Sequence, residues 1–370
     1  MGSTSPESGR LVSLDQFRGY TVLGMFLVNF CASFVVVPAV LKHHHTYFSY
    51  ADSIMPQFFL AVGFAYRLTL LRRIASQGKR AAYVHVIRRN LGLILVGLVV
   101  HGLGRGVADW KELTGPTFWE QLGHGLKRPF FQTLTHIGVT SLWVLPVIAA
   151  GPRARIAFAA GSGLLHLALS FAFNYTWVNT NPVGIDGGPL GFLTWTIPLL
   201  AGSLACDAMN QSPWRAAWQL LGWGTVLMIL GYGLSCLNRI TPPNEASGGL
   251  MGLLVEPPFV PPTHPVNVWT MSQRSGSLTY LVFGAGFSLA VLAVFVGLCD
   301  VWRFRWSYLN LLGQNALIGY IIHDMVGEVV KPWVPKDAPL WYVAAGFALF
   351  LGIITLFLRH LEKHRLYLRL

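Results

Sequence analysis

The chain has 370 residues, of which 53% are apolar and only 11% charged, and its mean hydropathy is +0.51. Soluble domains carry about a quarter charged residues, so a water-soluble globular protein is excluded. The formal charge of +12 does not signal nucleic acid either, because Lys and Arg lie in short clusters between apolar blocks rather than on one face.

The N-terminal MGSTSPESGR segment lacks a short apolar stretch followed by a small-residue cleavage site, and no removable signal peptide is expected. Apolar windows about 20 residues long predict helices over 14–40, 49–71, 85–104, 131–150, 154–174, 187–208, 215–236, 278–300, 307–330 and 340–358. Breakers punctuate the joins: Gly151-Pro152, Asn181-Pro182, Ser212-Pro213, Pro242-Pro243 and Pro332. The expected fold class is therefore all-α, a polytopic integral membrane helical bundle of about ten transmembrane helices. A polar segment, 1–13, precedes a single transmembrane domain, 14–370. Cys31, Cys206, Cys236 and Cys299 lie far apart, without paired ligand spacing, so neither a disulfide framework nor a metal site is expected.

Alternate joins carry the positive charge: Arg72, Arg73, Lys79, Arg80, Arg88 and Arg89, then Arg153 and Arg155, Arg215, Arg303 and Arg305, and finally Arg359, Lys363, Arg365 and Arg369. The positive-inside rule makes this side, and both termini, cytoplasmic. Arg105, Lys111, Lys127 and Arg128 in the third join are the exception. The join at 41–48 and the Pro-rich 237–277 segment then face outward.

An ionisable side chain at membrane depth costs about 2.5–3.5 kcal/mol on insertion scales and usually faces a bundle interior or a wet cavity. Helix direction sorts these residues into two layers. The outer layer holds Asn29, His43, His44, His45, Asp52, His101, His136, His323, Asp324 and Glu328, rich in groups that exchange protons near neutral pH. The inner layer holds Asp15, Arg18, Arg67, Arg88 and Arg89, and the planar guanidinium fork suits phosphate. Structural roles compete throughout. Arg72, Arg73, Lys79 and Arg80 read as topology determinants. Arg18, Arg88 and Arg89 could equally snorkel or pair with Asp15. Lone histidines such as His101 and His166 read as helix–helix hydrogen-bond partners.

The segments LDQFRGYTVLGMFLVNF at 14–30 and LKHHHTYFSYADSIMPQFFLAVGFAYRLT at 41–69 resemble the opening of the heparan-α-glucosaminide N-acetyltransferase-like family of transmembrane acyltransferases. Asp15, Arg18, Gly19, Asn29, Asp52 and Pro56 match that pattern one by one. GPLGFLTWTIPLLAGSLA at 188–205, WTMSQRSGSLTYL at 269–281 and LLGQNALIGYIIHDMV at 311–326, which runs from Asn315 to His323, extend the likeness over nearly the whole chain. There are departures. The interval from His43 to Asp52 is one residue shorter than in the family, which leaves His44 and His45 as alternatives. QTLTH at 132–136 puts His136 where the family commonly has arginine, and 237–277 has no counterpart.

The resemblance implies transfer of an acyl group, usually acetyl, from cytoplasmic acyl-CoA to an amine or hydroxyl of a sugar or glycan across the membrane. A histidine among 43–45 would act as general base, with Asn29 and Asp52 in the catalytic group, and Asp15, Arg18, Arg88 and Arg89 would hold the donor. His136, Asn315, His323 and Asp324 are further polar-layer candidates. No permanently bound cofactor is implied; acetyl-CoA enters as donor substrate. Expected partners are acyl-CoA, the sugar acceptor and membrane lipid, not nucleic acid, and a homodimer is compatible with the sequence. The setting is a multi-pass integral membrane protein, of the inner or plasma membrane in a bacterium. A proton-coupled transporter of a polar or anionic solute is the alternative, since membrane-embedded acids and histidines also relay protons; discontinuous helices and inverted repeats would favour it. The orientation is tested by fusing a reporter that fluoresces only in the cytoplasm after Leu370: it should glow, and a dark fusion contradicts cytoplasmic termini.

Overall fold

A computed structural model describes residues 11–103, 109–240, 252 and 254–366. Most of the 1–13 segment, Arg105, Arg369 and Pro242-Pro243 lie outside the described residues. The fold is all-α. Its helices are α1 Val12–Cys31, α2 Tyr50–Gln77, α3 Lys79–His101, α4 Trp110–Thr114, α5 Pro116–Lys127, α6 Thr133–Trp143, α7 Pro152–Leu169, α8 Tyr175–Asn179, α9 Phe192–Ala208, α10 Pro213–Ser235, α11 Leu278–Val296, α12 Ser307–Gln314, α13 Ala316–Val330 and α14 Leu340–Lys363.

Among the described residues, seven helical stretches are long and apolar enough to cross a membrane. Their burial divides them. The apolar windows of α2, α9 and α11 are 61%, 67% and 67% buried, whereas those of α3, Pro152–Asn179, α10 and α14 are 22% buried. The first three form the interior, and the other four expose side chains such as Leu95, Leu164, Ile229 and Leu356 to the surroundings. A helix that is apolar all round and mostly exposed is stable only in lipid. The chain is a multi-pass integral membrane protein.

Small residues let the interior helices approach closely. A Cβ on Gly63 of α2 would lie 1.7 Å from the Leu199 carbonyl oxygen of α9, and one on Gly202 would lie 1.9 Å from that of Leu60. The contact is reciprocal, so neither helix can carry a side chain there. Near the end bearing the arginines, Arg67 Nε donates to Asp207 Oδ1 at 2.6 Å and Arg67 Nη1 to the Ile148 carbonyl at 2.6 Å. Arg155, fully buried, also pairs with Asp207. This ion-paired knot ties α2, α7 and α9 together, and Arg67 is thereby committed to structure.

Several expected elements differ, α2 running on to Gln77 and α3 starting already at Lys79. The first helix ends at Cys31, not 40, and the chain turns through Phe34, whose N–H bonds to the Cys31 carbonyl, toward Pro38. The helix expected over 131–150 stops at Trp143, ahead of Pro146, which has no N–H to continue it. The join read as a charged loop carries α4 and α5. The helix expected over 307–330 is broken at Asn315 (φ −109°, ψ 25°), whose side-chain amide donates to the Leu311 carbonyl at 2.9 Å and so competes with helical bonding.

Candidate functional site

Two adjoining chambers lie within the bundle. A histidine chamber of about 200 Å³ is lined by Asn29, His43, His101, Gln132, Asp186, Gln273, His323 and Asp324 among others. An arginine chamber of about 440 Å³ is lined by Arg18, Arg73, His85, Arg89, Gln314 and Asn315 among others. Phe58, Thr133 and Tyr320 line both and form the wall between them.

The position of His43 follows from the way α2 begins. Ser49 accepts the Asp52 N–H, and the Asp52 carboxylate reaches back to the Ser49 N–H at 3.0 Å, a capping box. The same carboxylate accepts the Ser49 hydroxyl at 2.8 Å, the His44 N–H at 3.3 Å and His43 Nδ1–H at 3.0 Å. Asp52 is 1% exposed. The residue that starts the helix therefore also orients the imidazole. With Nδ1–H donated to a carboxylate, the lone pair is on Nε2, the tautomer a general base needs. Burial alone would lower the His43 pKa, but the hydrogen bond and charge of Asp52, helped by Asp186 and Gln273, outweigh it and raise it.

Neither neighbouring histidine lines the chamber. His44 Nε2 is within 2.8 Å of both the Ala39 carbonyl and the Tyr47 hydroxyl, and its ring stacks on Tyr47 at 4.0 Å. His45 has its pKa pushed down to about 4, by burial first and then by the charge of Arg274. On another side of the chamber Asn29 Nδ2 donates to His323 Nε2 at 2.9 Å, while His323 Nδ1–H donates to the Tyr320 carbonyl. His101 Nε2 lies 3.2 Å from the Tyr320 hydroxyl on the dividing wall.

Among the described residues, the arginine chamber is lined by no Asp or Glu and the histidine chamber by no Arg or Lys. The break at Asn315 also matters here. It places the N-terminus of α13, with Ala316, at the arginine chamber. Free N–H groups and the helix dipole there favour an anion. Asn315 Oδ1 is buried with no partner among the described residues.

The structure thus brings together Asn29, His43, His101, His323 and Asp324 around one chamber, with Asp52 behind His43, and Arg18, Arg89 and Asn315 around the other. The remaining predicted residues lie elsewhere. Asp15 is 3.9 Å from Arg18 but lines neither chamber. Arg88 is exposed on α3. His136 is wholly buried between Phe131 and Trp195, away from both chambers. Glu328 lines neither.

Four lining residues escaped the sequence reading. Arg73 was indistinguishable from the topology charges around it, and His85 lies in the same basic run. Asp186 and Gln273 lie in joins, where a polar residue carries no membrane penalty and so no signal; the glycines flanking Asp186 in GIDGG were the available cue. Among the described residues no group of three or more His, Cys, Asp or Glu is set to hold a metal ion. A scan against protein-family models finds no match for this chain, and a search of curated proteins finds none either.

Proposed function

We propose that this chain is a transmembrane acyltransferase that moves an acyl group, acetyl by preference, from cytoplasmic acyl-CoA to an amine or hydroxyl of a sugar on the other side of the membrane. About ten crossings and cytoplasmic termini belong to this reading. The observation that carries it is the pair of adjoining chambers with opposite chemistry, one cationic and one built of histidines and carboxylates. A volume of about 440 Å³ lies within the range of ligand pockets, about 300–1,000 Å³. The resemblance of 14–30 and 41–69 to the heparan-α-glucosaminide N-acetyltransferase-like family supports the same assignment.

In this mechanism Arg18, Arg73 and Arg89, with the α13 N-terminus, bind the phosphates of acyl-CoA. The thioester reaches the wall at Phe58, Thr133 and Tyr320, where the acceptor meets it from the histidine chamber. His43 Nε2 takes the acceptor's proton as its lone pair attacks the thioester carbonyl carbon. Asn29 orients the acceptor or donates to the oxyanion. The carbon–sulfur bond then breaks, and the imidazolium returns its proton to the thiolate. A covalent acyl-histidine would instead give ping-pong kinetics.

A second reading, a proton-coupled transporter, is favoured by the helix broken at Asn315, since discontinuous helices build the anion sites of many transporters. A transporter releases its solute unchanged, whereas the proposed reaction consumes the thioester.

Donor binding tests the arginine chamber. Acetyl-CoA should raise the melting temperature of the purified protein, and Arg89→Ala, with Arg18→Ala beside it, should remove most of that rise without lowering the ligand-free value. No rise with the parent protein would contradict an acyl-CoA site. The histidines give an unequal series. His43→Ala should cost about 10²–10⁴ in turnover, with near-parent rates for His44→Ala and His45→Ala. Comparable losses in two or three variants, restored by zinc, would indicate a metal site instead. Parent rates in all three would move the base to His323 with Asp324.

A further inference from the structure

Two polar side chains of the histidine chamber, Asp186 and Gln273, have no part in the transfer just described. They come from separate joins, and Gln273 Nε2 donates to Asp186 Oδ1 at 3.0 Å. Asp186 is 2% exposed. Gln273 Oε1 is buried with no hydrogen-bond partner among the described residues. A buried acceptor in a chamber wall is costly to leave unsatisfied and suits a donor on whatever enters.

The backbone holds this pair in place at some expense. Asp186 adopts φ 53°, in the left-handed region, and is followed by Gly187 at 85° and Gly188 at 58°. Its carbonyl accepts Trp195 Nε1–H at 2.9 Å, and the Gly187 N–H donates to the Arg274 carbonyl at 3.0 Å. A non-glycine residue stays in that region only where its surroundings fix it, and such sites cluster where function needs them.

The charged and titratable groups around Asp186 are His43 and Asp52 at the start of α2, Arg128 after α5, Arg274 beside Gln273, and Tyr280 and Tyr320 on α11 and α13. Burial pushes the Asp186 carboxyl up to about 7; Asp52 adds to this, while Gln273, His43 and Arg128 oppose it. The carboxyl is therefore able to gain or lose a proton near neutral pH.

Resting on the acyltransferase reading with an amine acceptor, we propose that Asp186 is a second proton acceptor, which with Gln273 docks the amine and takes the first of its two protons. An amine in neutral water arrives as an ammonium ion and cannot attack until one proton leaves. The Asp186 carboxylate removes that proton, and Gln273 Oε1 accepts a hydrogen bond from the nitrogen. The freed lone pair forms the new carbon–nitrogen bond at the thioester carbonyl. His43 Nε2 removes the second proton, the carbon–sulfur bond breaks, and the thiolate receives that proton from the imidazolium. The products are the amide, the free thiol and one proton, which Asp186 releases outward.

The test follows transfer from acetyl-CoA to D-glucosamine by purified parent protein, Asp186→Asn and Gln273→Ala, from acid to alkaline pH. Asp186→Asn should lose about 10²-fold in kcat/KM near neutrality, yet recover as pH approaches the amine's own pKa and free amine becomes abundant. Gln273→Ala should move the limb that belongs to Asp186 to higher pH, because the bond that favours the carboxylate is gone, and the limb that belongs to His43 to lower pH, because Gln273 also helps to raise the His43 pKa. Both should retain the thermal shift given by acetyl-CoA. An Asp186→Asn profile equal to the parent's, or lower by one factor at every pH, would overturn the proposal. Should that variant fail to fold, a Gln273→Ala profile in which no limb moves to higher pH would overturn it. Parent protein that transfers nothing to any amine would instead sink the acyltransferase reading, a result distinct from transfer with unmoved profiles.

Discussion

The Asp52 carboxylate is the constraint on which the histidine chamber depends. It is buried, it closes the cap of α2, and it holds the His43 ring and the His44 N–H. Its backbone carbonyl also accepts the Tyr280 hydroxyl at 2.7 Å, which links the start of α2 to α11. An aspartate at the N-terminus of a helix is stabilised by the dipole and by free N–H groups. One local rule of helix initiation thus delivers an oriented, basic imidazole at the edge of a membrane protein.

From that point the charges along the molecule fall in order. The histidine chamber holds carboxylates and imidazoles, the dividing wall is aromatic and hydroxylic, and the arginine chamber holds cations and a helix N-terminus. Uncompensated charge is expensive inside a bilayer. Arg73 and Arg89, with Arg18 beside Asp15, concentrate positive charge at one cavity, and an anion there would offset its cost, which supports the proposed phosphate site. The contrast with Arg67 is instructive, because Asp207 and two backbone carbonyls take up its guanidinium, while Arg155 pairs with Asp207 and donates to the Ser203 hydroxyl away from both chambers.

Much of the helical pattern was legible, because lipid requires long apolar runs and the sequence shows them. The interior position of α2, α9 and α11 was not, since their composition differs little from that of the lipid-facing helices. Where Pro, Asn or a polar turn interrupts an apolar block, the block misled: Phe34–Pro38 leave the first helix early, and Asn315 divides the ninth segment. Of the adjacent histidines, only three-dimensional geometry separates His43 from its neighbours, because the separation depends on a carboxylate nine residues away. His136 looked functional for its depth and its place in the family pattern, yet packing against Phe131 and Trp195 isolates it from both chambers. Asp186 and Gln273 were hidden for the opposite reason, lying in joins where polarity is ordinary.

The central claim is that the two adjoining chambers exchange an acyl group through one wall, the donor coming from one side of the membrane and the acceptor from the other. It is tested most directly in sealed proteoliposomes of uniform orientation, with labelled acetyl-CoA on the face bearing Arg72, Arg73, Lys79 and Arg80 and a glucosamine-terminated acceptor on the other. The account predicts acetylated acceptor on the far side, with CoA retained on the donor side. Acetylation only when both substrates share a face, or passage of either substrate across unchanged, would contradict it.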